Sequence, residues 1–312
     1  SWQVQKSQHS LTVSALLDFE REEYERKSSN TFFGDPNQQQ TFDTLGTAVE
    51  IVAQARNWTF QASARHDDND GRFDNASTWR ASLAYNLSDQ TRLRASAGQG
   101  VKNPTFAELF GFFPASFLAN PTLKPEKSIS YEVGLDKAIG PAQFSLVWFE
   151  AELEDEIFTA FNSDFTSIAR NREGQSTRNG IETSVNWPMS ERLTVNATYT
   201  NISSENDQKQ DEIRVPEQTA SLNMDWQPAF LEGLKVGAAA DYVGEQNDIF
   251  FSFPQQDVKL DAYTLLSANT SYPLGENLSL TFRGQNMLDK QIEDVTGFRQ
   301  PGSQFFIGLR LN

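Results

Sequence analysis

Residues 193–200 read Leu-Thr-Val-Asn-Ala-Thr-Tyr-Thr, a stretch in which apolar and polar side chains alternate strictly. Successive side chains of a β-strand point to opposite faces of its sheet, so this stretch predicts a strand with one apolar and one polar face. The strand-like sequence extends over 192–205, and a similar segment covers 233–246. Soluble strands usually run about five or six residues, whereas strands that cross a bilayer at a tilt are longer. The length favours a transmembrane strand over a strand of a soluble sandwich.

The same alternation recurs along the whole chain, and helical spacing is sustained nowhere for long. Its apolar members include Leu11, Val13, Ala15, Leu17 and Phe19; Trp58, Phe60, Ala62 and Ala64; Trp79, Ala81, Leu83, Tyr85 and Leu87; Leu222, Met224 and Trp226; Leu278, Leu280 and Phe282; and Phe305, Ile307, Leu309 and Leu311. We therefore predict an all-β fold.

The breaks between these segments alternate in length along the chain. Short, turn-like breaks fall at 54–57, 88–90, 140–141, 188–190 and 273–275, and long polar or Pro/Gly-rich breaks fall at 28–39, 68–76, 102–126, 157–165, 206–213, 247–258 and 288–300. Greek-key sandwiches do not sort their loops in this way, whereas antiparallel up-and-down transmembrane barrels do. The pattern predicts about fifteen strands. Bacterial single-chain barrels have even strand counts, so we expect further strands before residue 1.

Composition excludes several kinds of site. The chain has 312 residues, no Cys, a formal charge of −16 and two histidines, His9 and His66. Disulfide frameworks and cysteine chemistry are excluded, and little remains for a His-based metal site or triad. The acidic balance argues against a nucleic-acid partner, because phosphate contacts need clustered cations. No apolar run is long enough to predict a transmembrane helix.

Aromatic residues on the apolar side of the pattern fall into two groups. Trp58, Tyr85, Trp187, Trp226 and Tyr272 lie near short breaks, while Trp79, Tyr242 and Tyr263 lie near long ones. Two aromatic girdles at the two membrane interfaces are typical of transmembrane barrels. The placement favours that interpretation over the general enrichment of aromatics in strands.

The most specific motifs lie between residues 100 and 134. Residues 100–110 read Gly-Val-Lys-Asn-Pro-Thr-Phe-Ala-Glu-Leu-Phe, residues 120–128 read Asn-Pro-Thr-Leu-Lys-Pro-Glu-Lys-Ser, and residues 131–134 read Tyr-Glu-Val-Gly. This resembles the TonB-dependent outer-membrane receptor family, in which a strand ends in K-x-P-x-x-x-x-L and the loop after it closes with N-P-x-L-x-P-E-x-S. Further matching pieces are 170–174, 179–182, 285–290 and 297–302, and segment 64–79 is most similar to the cobalamin receptor branch.

The resemblance covers the whole chain, 1–312, and implies the C-terminal part of a barrel of about 22 strands. The family's N-terminal plug domain, its TonB box and its first strands are not in this sequence. The resemblance implies a bacterial outer-membrane receptor, not an enzyme, that takes up a ferric siderophore or cobalamin. Its partners would be TonB, through the plug, together with membrane lipid and lipopolysaccharide. It leaves the ligand and the oligomeric state open.

Two sets of residues are candidates for function. Phenylalanines on two long breaks could grip a large, partly apolar ligand, or could equally pack a loop core or touch lipopolysaccharide; they are Phe106, Phe110, Phe112, Phe113, Phe117, Phe250, Phe251 and Phe253. Charged residues on the polar side of the strands would line the lumen and face the plug, or line a water-filled pore; they are Arg80, Arg92, Arg94, Glu132, Glu182 and Arg283, with Asp136, Asp225, Asp241 and Arg310.

Three alternatives remain. The acidic segment with Asp67, Asp68, Asn69, Asp70 and Asp74 could bind Ca²⁺, but an EF-hand loop would need Asp where His66 stands and a Glu at its end, so a solvated loop is favoured and no cofactor is predicted. A passive porin is the second alternative. An outer-membrane hydrolase that uses His66 beside the two following aspartates is the third, and the less favoured.

Overall fold

The computed structural model describes residues 1–8, 10–30, 32, 34–71, 73–113, 115–250, 252 and 254–311. Within that part, strands account for nearly all regular structure. The elements in chain order are β1 (Trp2–Gln8), β2 (Leu11–Arg26), β3 (Gln38–Ala55), β4 (Trp58–Asn69), β5 (Ala76–Ser88), β6 (Thr91–Lys102), α1 (Phe106–Phe110), β7 (Phe117–Leu118), β8 (Glu126–Ile139), β9 (Ala142–Glu154), β10 (Ile157–Phe161), β11 (Ser167–Asn171), β12 (Gln175–Ser190), β13 (Leu193–Glu205), β14 (Gln218–Trp226), β15 (Lys235–Val243), β16 (Gln246–Phe250), β17 (Gln256–Leu260), β18 (Tyr263–Gly275), β19 (Leu278–Gln285), β20 (Glu293–Val295), β21 (Phe298–Arg299) and β22 (Gln304–Leu311).

Fifteen strands form one sheet. Each pairs with the next member of that sheet in chain order, and the short strands of the long connections are not part of it. The order is β1-β2-β3-β4-β5-β6-β8-β9-β12-β13-β14-β15-β18-β19-β22, and every pairing in it is antiparallel. The remaining short strands form small sheets inside the long connections. The predicted all-β, up-and-down meander of about fifteen strands is confirmed. No helix in the described part of the chain has the length and apolar character needed to cross a membrane.

The connections sort by length between the two ends of the sheet. At one end lie the turns 56–57, 89–90, 140–141, 191–192 and 276–277, with the longer connection 227–234. At the other end, the long-loop end, lie 27–37, 70–75, 103–125, 155–174, 206–217, 244–262 and 286–303. Two of the short turns use left-handed backbone, at Arg56 with φ of 51° and at Gly140 with φ of 58°. The predicted alternation is confirmed, although 227–234 is longer than 70–75.

Strand lengths agree with the prediction for one of the two segments. The predicted strand 192–205 is β13, but the predicted strand 233–246 is shorter, because β15 covers only Lys235–Val243. Gly233 adopts φ of 81° at the turn before it. After it, the N–H of Gly244 donates to the carbonyl of Gln218, and the chain then leaves the sheet to start β16.

Cross-strand register separates the two faces cleanly. Leu193, Val195 and Ala197 lie opposite Trp226, Met224 and Leu222, and this row of apolar pairs continues across the sheet. At the far edge Leu280 pairs with Leu309 and Phe282 with Ile307 on the same face. Ile307 and Leu309 are 79% and 67% exposed, so this outward apolar face has no protein covering it in the described chain.

The aromatic residues at the short-turn end all lie on the outward face, where Trp58 and Tyr85 pack with ring centroids 4.3 Å apart. Trp79 and Tyr242 lie on the same face near the long loops. The prediction that Tyr263 lies on the apolar side of the sheet is wrong. Tyr263 pairs with Val243 on the polar face, where its hydroxyl donates to Asp294 at 2.8 Å. Tyr263 is half-buried, and a phenol partly withdrawn from water is stabilised by such a partner, which the loop 286–303 provides.

Candidate functional site

The longest loop, 103–125, is folded rather than extended. It begins with helix α1, whose N-cap Thr105 accepts a hydrogen bond from the Glu108 N–H at 3.4 Å. The Glu108 carboxylate in turn accepts from the Thr105 N–H at 2.7 Å, which completes a capping box. The helix ends at Gly111, where φ is 75° and an added Cβ would lie 2.6 Å from the carbonyl oxygen of Phe117. Glycine therefore allows the loop to turn back on itself here.

Helix α1 packs onto the polar face at the long-loop end of β2 and β3. Phe106 stacks on Phe42 of β3, with centroids 4.5 Å apart, and on Tyr24 of β2 at 5.1 Å. Phe73 of the loop 70–75 meets Phe42 edge-on at 5.6 Å. We call this cluster the aromatic cap; its members are Phe42, Phe73, Phe106, Phe110, Phe117, Leu109, Leu123, Ile157 and Ala169.

The predicted ligand-gripping phenylalanines separate into two environments. Phe106, Phe110 and Phe117 belong to the aromatic cap. Phe112 and Phe113 meet edge-on at 4.9 Å. The guanidinium carbon of Arg26 lies 3.5 Å from the ring centroid of Phe112 and 4.5 Å from that of Phe113.

Phe112 remains 46% exposed at the loop surface, and so does Phe250 at the end of β16. The other two predicted positions, Phe251 and Phe253, lie outside the described residues. The aromatic side chains that remain open to a ligand in the described loops are therefore found outside the aromatic cap.

A polar cleft opens between three neighbouring long loops, 155–174, 206–217 and 244–262. Its volume is about 980 Å³, and its lining includes Arg172, Arg178, Asp211, Glu212, Asn247 and Lys259. We call this space the loop cleft. Its donors and acceptors converge from loops that are far apart in sequence, which is the usual arrangement of a small-molecule site.

Ion pairs hold the walls of the loop cleft in place. Arg178 of β12 donates to both carboxylate oxygens of Glu212 at 3.0 and 3.1 Å, and to Glu156 at 3.2 Å. Arg172 pairs with Asp207 at 2.7 Å and with Glu156 at 3.3 Å. Two arginines thus join the loops 155–174 and 206–217 through three carboxylates. Charge-assisted and bidentate pairs of this kind fix geometry as well as adding stability.

Glu212 lies at the centre of this network. Burial alone would raise the pKa of its carboxyl, but hydrogen bonds from Arg178 and Ser204 and the nearby guanidinium charges more than offset burial. The pKa of Glu212 is therefore lowered from its usual value, and the group stays ionised across the physiological range.

A second ion pair joins three loops at one carboxylate. Asp248 of β16 is fully buried and accepts hydrogen bonds from Arg214 Nε at 2.8 Å, from the Thr296 N–H at 2.7 Å and from the Ile249 N–H at 2.8 Å. Burial would raise the pKa of Asp248, yet the backbone donors and Arg214 together hold the pKa at about 2. The loops 206–217, 244–262 and 286–303 therefore share one permanently charged anchor.

The register places all six predicted lumen residues, Arg80, Arg92, Arg94, Glu132, Glu182 and Arg283, on the polar face. Three of the charged residues predicted there form local contacts, and one of them, Glu132, accepts a hydrogen bond from Ser96 at 3.3 Å. Arg94 pairs with Asp136 at 3.3 Å, and Ser145 donates to Asp136 at 2.7 Å. Whether a plug domain meets this face stays a prediction.

Arg65 is hydrogen-bonded to two carboxylates on the polar face. It donates to both carboxylate oxygens of Asp18, at 2.9 and 3.1 Å, and to Asp67 at 2.9 Å. Gly46 lies directly between the two partners, and an added Cβ there would be 2.7 Å from Asp18 Oδ1 and closer still to Arg65 Nη2. A side chain at position 46 would fit only if the ends of the Arg65 and Asp18 side chains moved, so glycine leaves room for this ion pair.

The hydrolase alternative fails on geometry. Register places His66 on the outward face with Thr47 and Ser77, whereas Asp67 lies on the polar face with Gly46. The imidazole Nδ1 lies 2.8 Å from Ser77 Oγ, and Asp67 is paired with Arg65. His66 and Asp67 cannot form a dyad, because neighbouring residues of a strand point to opposite faces. Asp68 shares the outward face with His66, but no hydrogen bond or ion pair joins the two among the described residues, and the imidazole is bonded to Ser77.

The acidic segment around residues 67–74 is engaged in local hydrogen bonds. Asn69 is buried and donates to the Asp74 carbonyl at 3.0 Å, and Asp70 accepts from the Asp43 N–H at 3.4 Å. In the described ranges, no three His, Asp or Glu side chains form a group that could hold a metal ion.

Sequence reasoning missed most of the loop cleft. Arg172 lies within the motif 170–174, but nothing in that motif indicates its partners Glu156 and Asp207. Arg178 and Glu212 are 34 residues apart, as are Arg214 and Asp248. The one available signal was the antiparallel meander. It brings neighbouring long loops to the same end of the sheet, where charges on different loops can meet.

Comparisons with known proteins agree with this architecture. Residues 4–287 match the family described as "TonB dependent receptor-like, beta-barrel". The chain is 29% identical over 296 residues to the vitamin B12 transporter BtuB of Photobacterium profundum, in a match that covers 93% of this chain and 46% of that protein.

Among solved structures, a mutant of the ferric enterobactin receptor PfeA from Pseudomonas aeruginosa, in complex with enterobactin, matches with a TM-score of 0.81. That match has 16% identity and covers 99% of this chain and 53% of that one. The copper transporter OprC matches with a TM-score of 0.79 and 16% identity over 98% of this chain and 55% of that one. These likenesses show the fold, and the chain spans about half the length of each of the three proteins. The relatives are named as transporters and receptors, not enzymes, and this chain belongs to the TonB-dependent receptor-like β-barrel family.

Proposed function

We propose that the chain forms the ligand-capturing part of an outer-membrane receptor that takes up a large, scarce nutrient with energy delivered through TonB. The observation that carries this proposal is the loop cleft, which lies at the end of the meander where the long loops gather, above the polar face. The outward apolar face suits contact with membrane lipid and, near the loops, lipopolysaccharide.

The proposed mechanism is binding and release, without chemistry on the ligand. The long loops capture the ligand from outside, and the ion pairs of Arg178 and Arg172 keep the loop cleft preformed, which lowers the entropic cost of binding. A plug domain in the part of the receptor that this chain does not span would complete the site. TonB would pull on that plug and open a path through the lumen.

The ligand class we propose is a ferric siderophore or cobalamin. The loop cleft, at about 980 Å³, has the size of a pocket for a bulky organic ligand, and its lining offers both guanidinium and amide donors. A bare copper ion fits this chain less well, because soft ligands bind copper, and the sequence contains no Cys, two His and three Met.

Uptake by the full-length receptor tests the proposal. The receptor is produced in bacteria that lack their own cobalamin and enterobactin receptors, and uptake of radiolabelled cyanocobalamin, ferric enterobactin and copper is measured with and without TonB. TonB-dependent uptake of one of the first two is expected. Uptake that needs neither TonB nor a membrane potential would instead identify a passive porin.

A matched pair of variants tests the loop cleft itself. Asn247→Trp places an indole in the loop cleft from an exposed position, and Asp89→Trp places one on an exposed turn at the opposite end of the sheet. We expect Asn247→Trp to weaken surface binding of the transported ligand by about tenfold, or about 1.4 kcal/mol. Asp89→Trp should leave binding unchanged, and equal binding by both variants would remove the loop cleft from the ligand site.

A further inference from the structure

The two arginines that line the loop cleft are already committed to carboxylates of the protein. Arg178 is shared between Glu212 and Glu156, and Arg172 between Glu156 and Asp207. The side chains of these three acidic residues are between 14% and 16% exposed. An anionic ligand that drew either guanidinium away would leave a carboxylate unpaired where little water reaches it, and breaking such a pair is costly.

The two lysines that line the loop cleft are paired as well. The ammonium nitrogen of Lys209 lies 3.8 Å from a carboxylate oxygen of Glu205, and Lys259 is paired with Glu245. Each lysine is therefore neutralised by a neighbouring glutamate, and neither adds net positive charge to the site.

The charges that remain at the loop cleft are negative. Asp211 and Asp257 line it, and neither forms an ion pair with a residue that the structure describes. The three loops around the cleft, 155–174, 206–217 and 244–262, contain twelve Asp and Glu residues against five Lys and Arg residues. A cleft with an excess of one sign of charge focuses its field, so this excess acts on a ligand before contact.

The polar face below the loop cleft has the same sign of charge. The register places Glu182 of β12, Asp225 of β14 and Asp241 of β15 on that face, and none of them forms an ion pair in the described part of the chain. The cations of strands β12 to β15 are Arg178, which is already paired, and Lys235, which lies at the short-turn end. A ligand that moves from the cleft towards the lumen therefore stays beside free carboxylates.

We infer that the loop cleft selects a ligand without net negative charge and that the strands below it favour the same ligands. This inference rests on the proposed function and narrows its ligand class. A neutral cobalamin or an uncharged or cationic ferric hydroxamate fits the charges of the site, whereas a trianionic ferric catecholate does not, because like charges brought together at a binding site oppose association. Neutral donors remain for such a ligand, since the exposed amides of Asn247 and Gln255 line the cleft.

Thiol-modification rates measure the potential in the loop cleft without any ligand. Asn247→Cys places a thiol in the cleft, and Ser29→Cys places one at an exposed position of the loop 27–37, which contains one Lys and one Asp. Each variant is made in a full-length receptor whose other cysteines, if any, are replaced by Ser. The purified receptor, in neutral detergent at low ionic strength, reacts with a cationic trimethylammonium-ethyl and an anionic sulfonatoethyl methanethiosulfonate.

The readout is the ratio of the cationic to the anionic rate at Asn247→Cys, divided by the same ratio at Ser29→Cys. We expect a normalised ratio of about ten, since a cleft lined by one sign of charge raises the local concentration of the opposite ion by at least that factor. Adding Asp211→Asn and Asp257→Asn should lower this ratio. A normalised ratio of one or less would overturn the inference, and a ratio that the two added changes leave unaltered would overturn the part assigned to these aspartates.

Uptake by cells that produce the full-length receptor tests the choice of ligand. TonB-dependent uptake of cyanocobalamin, which has no net charge, and of ferrioxamine B, a cationic ferric hydroxamate, is compared with uptake of ferric enterobactin, a trianion. We expect uptake of at least one of the first two and none of the third. TonB-dependent uptake of ferric enterobactin would support the proposed function and overturn this inference. Uptake of none of the three would count against the proposed function, and the thiol rates would still decide the charge of the site.

Discussion

Arg214 donates its Nε–H to the buried carboxylate of Asp248 at 2.8 Å, and this single contact joins two long loops that follow different strands. The backbone of Arg214 contributes as well, because its N–H donates to the Asn247 carbonyl at 2.7 Å and its φ is 61°. The second carboxylate oxygen of Asp248 accepts from Thr296 in a third loop. Asp248 thus joins three loops around the loop cleft through hydrogen bonds to its carboxylate.

Asp248→Asn should loosen these three loops without unfolding the sheet. The amide keeps the size of the carboxylate but loses the charge-assisted bonds, and a hydrogen bond to a charged group contributes about 1.5–3 kcal/mol. We expect faster proteolysis within 206–217, 244–262 and 286–303 and weaker ligand binding, at an unchanged midpoint of sheet unfolding. Asp261→Asn, the same change at an exposed residue of the loop 244–262 that does not line the loop cleft, is the control. Equal protease sensitivity in the two variants would contradict an anchoring role for Asp248.

The same anchor predicts how loop closure depends on pH. The pKa of Asp248 is lowered from 3.8 to about 2, so its stabilising contribution is fully present above about pH 4 and is lost as the pH falls towards 2. Hydrogen exchange of the three loops, corrected for intrinsic rates, should therefore be constant from neutral pH down to about 4 and should accelerate below it. Asp248→Asn should lack this acid-dependent step. A step of the same size in that variant would assign it to another group.

The sequence was sufficient for the fold because one periodic signal determines it. Alternation with period two predicts both the strands and their faces, and it placed Leu193, Arg94 and Glu182 on the faces where the register has them. It failed for Tyr263, which the register places on the polar face with its hydroxyl bonded to Asp294 of a distant loop. The loop cleft could not be predicted, because Arg178–Glu212 and Arg214–Asp248 depend on how irregular loops meet, and such contacts leave no period in the sequence.

Phe106 and Phe112 should respond differently to truncation, although both were predicted to contact ligand. Phe106→Ala removes a ring stacked between Tyr24 and Phe42, and truncating a packed Phe costs about 3–5 kcal/mol when the site is buried. We expect it to release the loop 103–125 to proteases. Phe112→Ala removes an exposed ring that contacts Arg26 and Phe113 outside the aromatic cap, so loop order should persist while ligand binding weakens. Loss of loop order in Phe112→Ala would place that ring with the structural residues.

Gly46→Ala should destabilise the sheet itself. The new methyl group would lie 2.7 Å from Asp18 Oδ1, so the ends of the Asp18 and Arg65 side chains must shift and their ion pair weakens. Because flexible side-chain ends can move, we expect a cost at the lower end of the overpacking range, about 1 kcal/mol. The temperature at which the receptor loses its compact mobility on detergent gels should fall. Gly275→Ala, at a strand end where nothing lies within 4 Å of the added Cβ, is the matched control and should change that temperature little.

Two neighbouring residues of β13 test the assignment of the faces. Ala197 lies on the outward face between Val185 and Leu222, and Thr198 lies on the polar face between Ser184 and Ser221. An arginine on a lipid-facing position near the middle of a bilayer costs about 2–4 kcal/mol, whereas lumen positions tolerate charge much better. Ala197→Arg should therefore lower the free energy of unfolding into denaturant from lipid vesicles by that amount, and Thr198→Arg should lower it much less.

The same pair of variants tests whether the outward face contacts lipid, independently of the strand pairing. The two positions lie on one strand at the same depth and receive the same side chain. Strand propensity and depth therefore affect both variants equally and cancel in the difference between their unfolding free energies. In a soluble setting with the outward face packed against protein, Ala197→Arg would still be costly, but the cost would not depend on whether vesicles or a detergent-free buffer surrounds the protein. If the face contacts lipid, the loss of unfolding free energy in Ala197→Arg should be largest in vesicles. It should be smaller for Val195→Arg, nearer the strand end, because the cost of a charge falls with distance from the bilayer midplane.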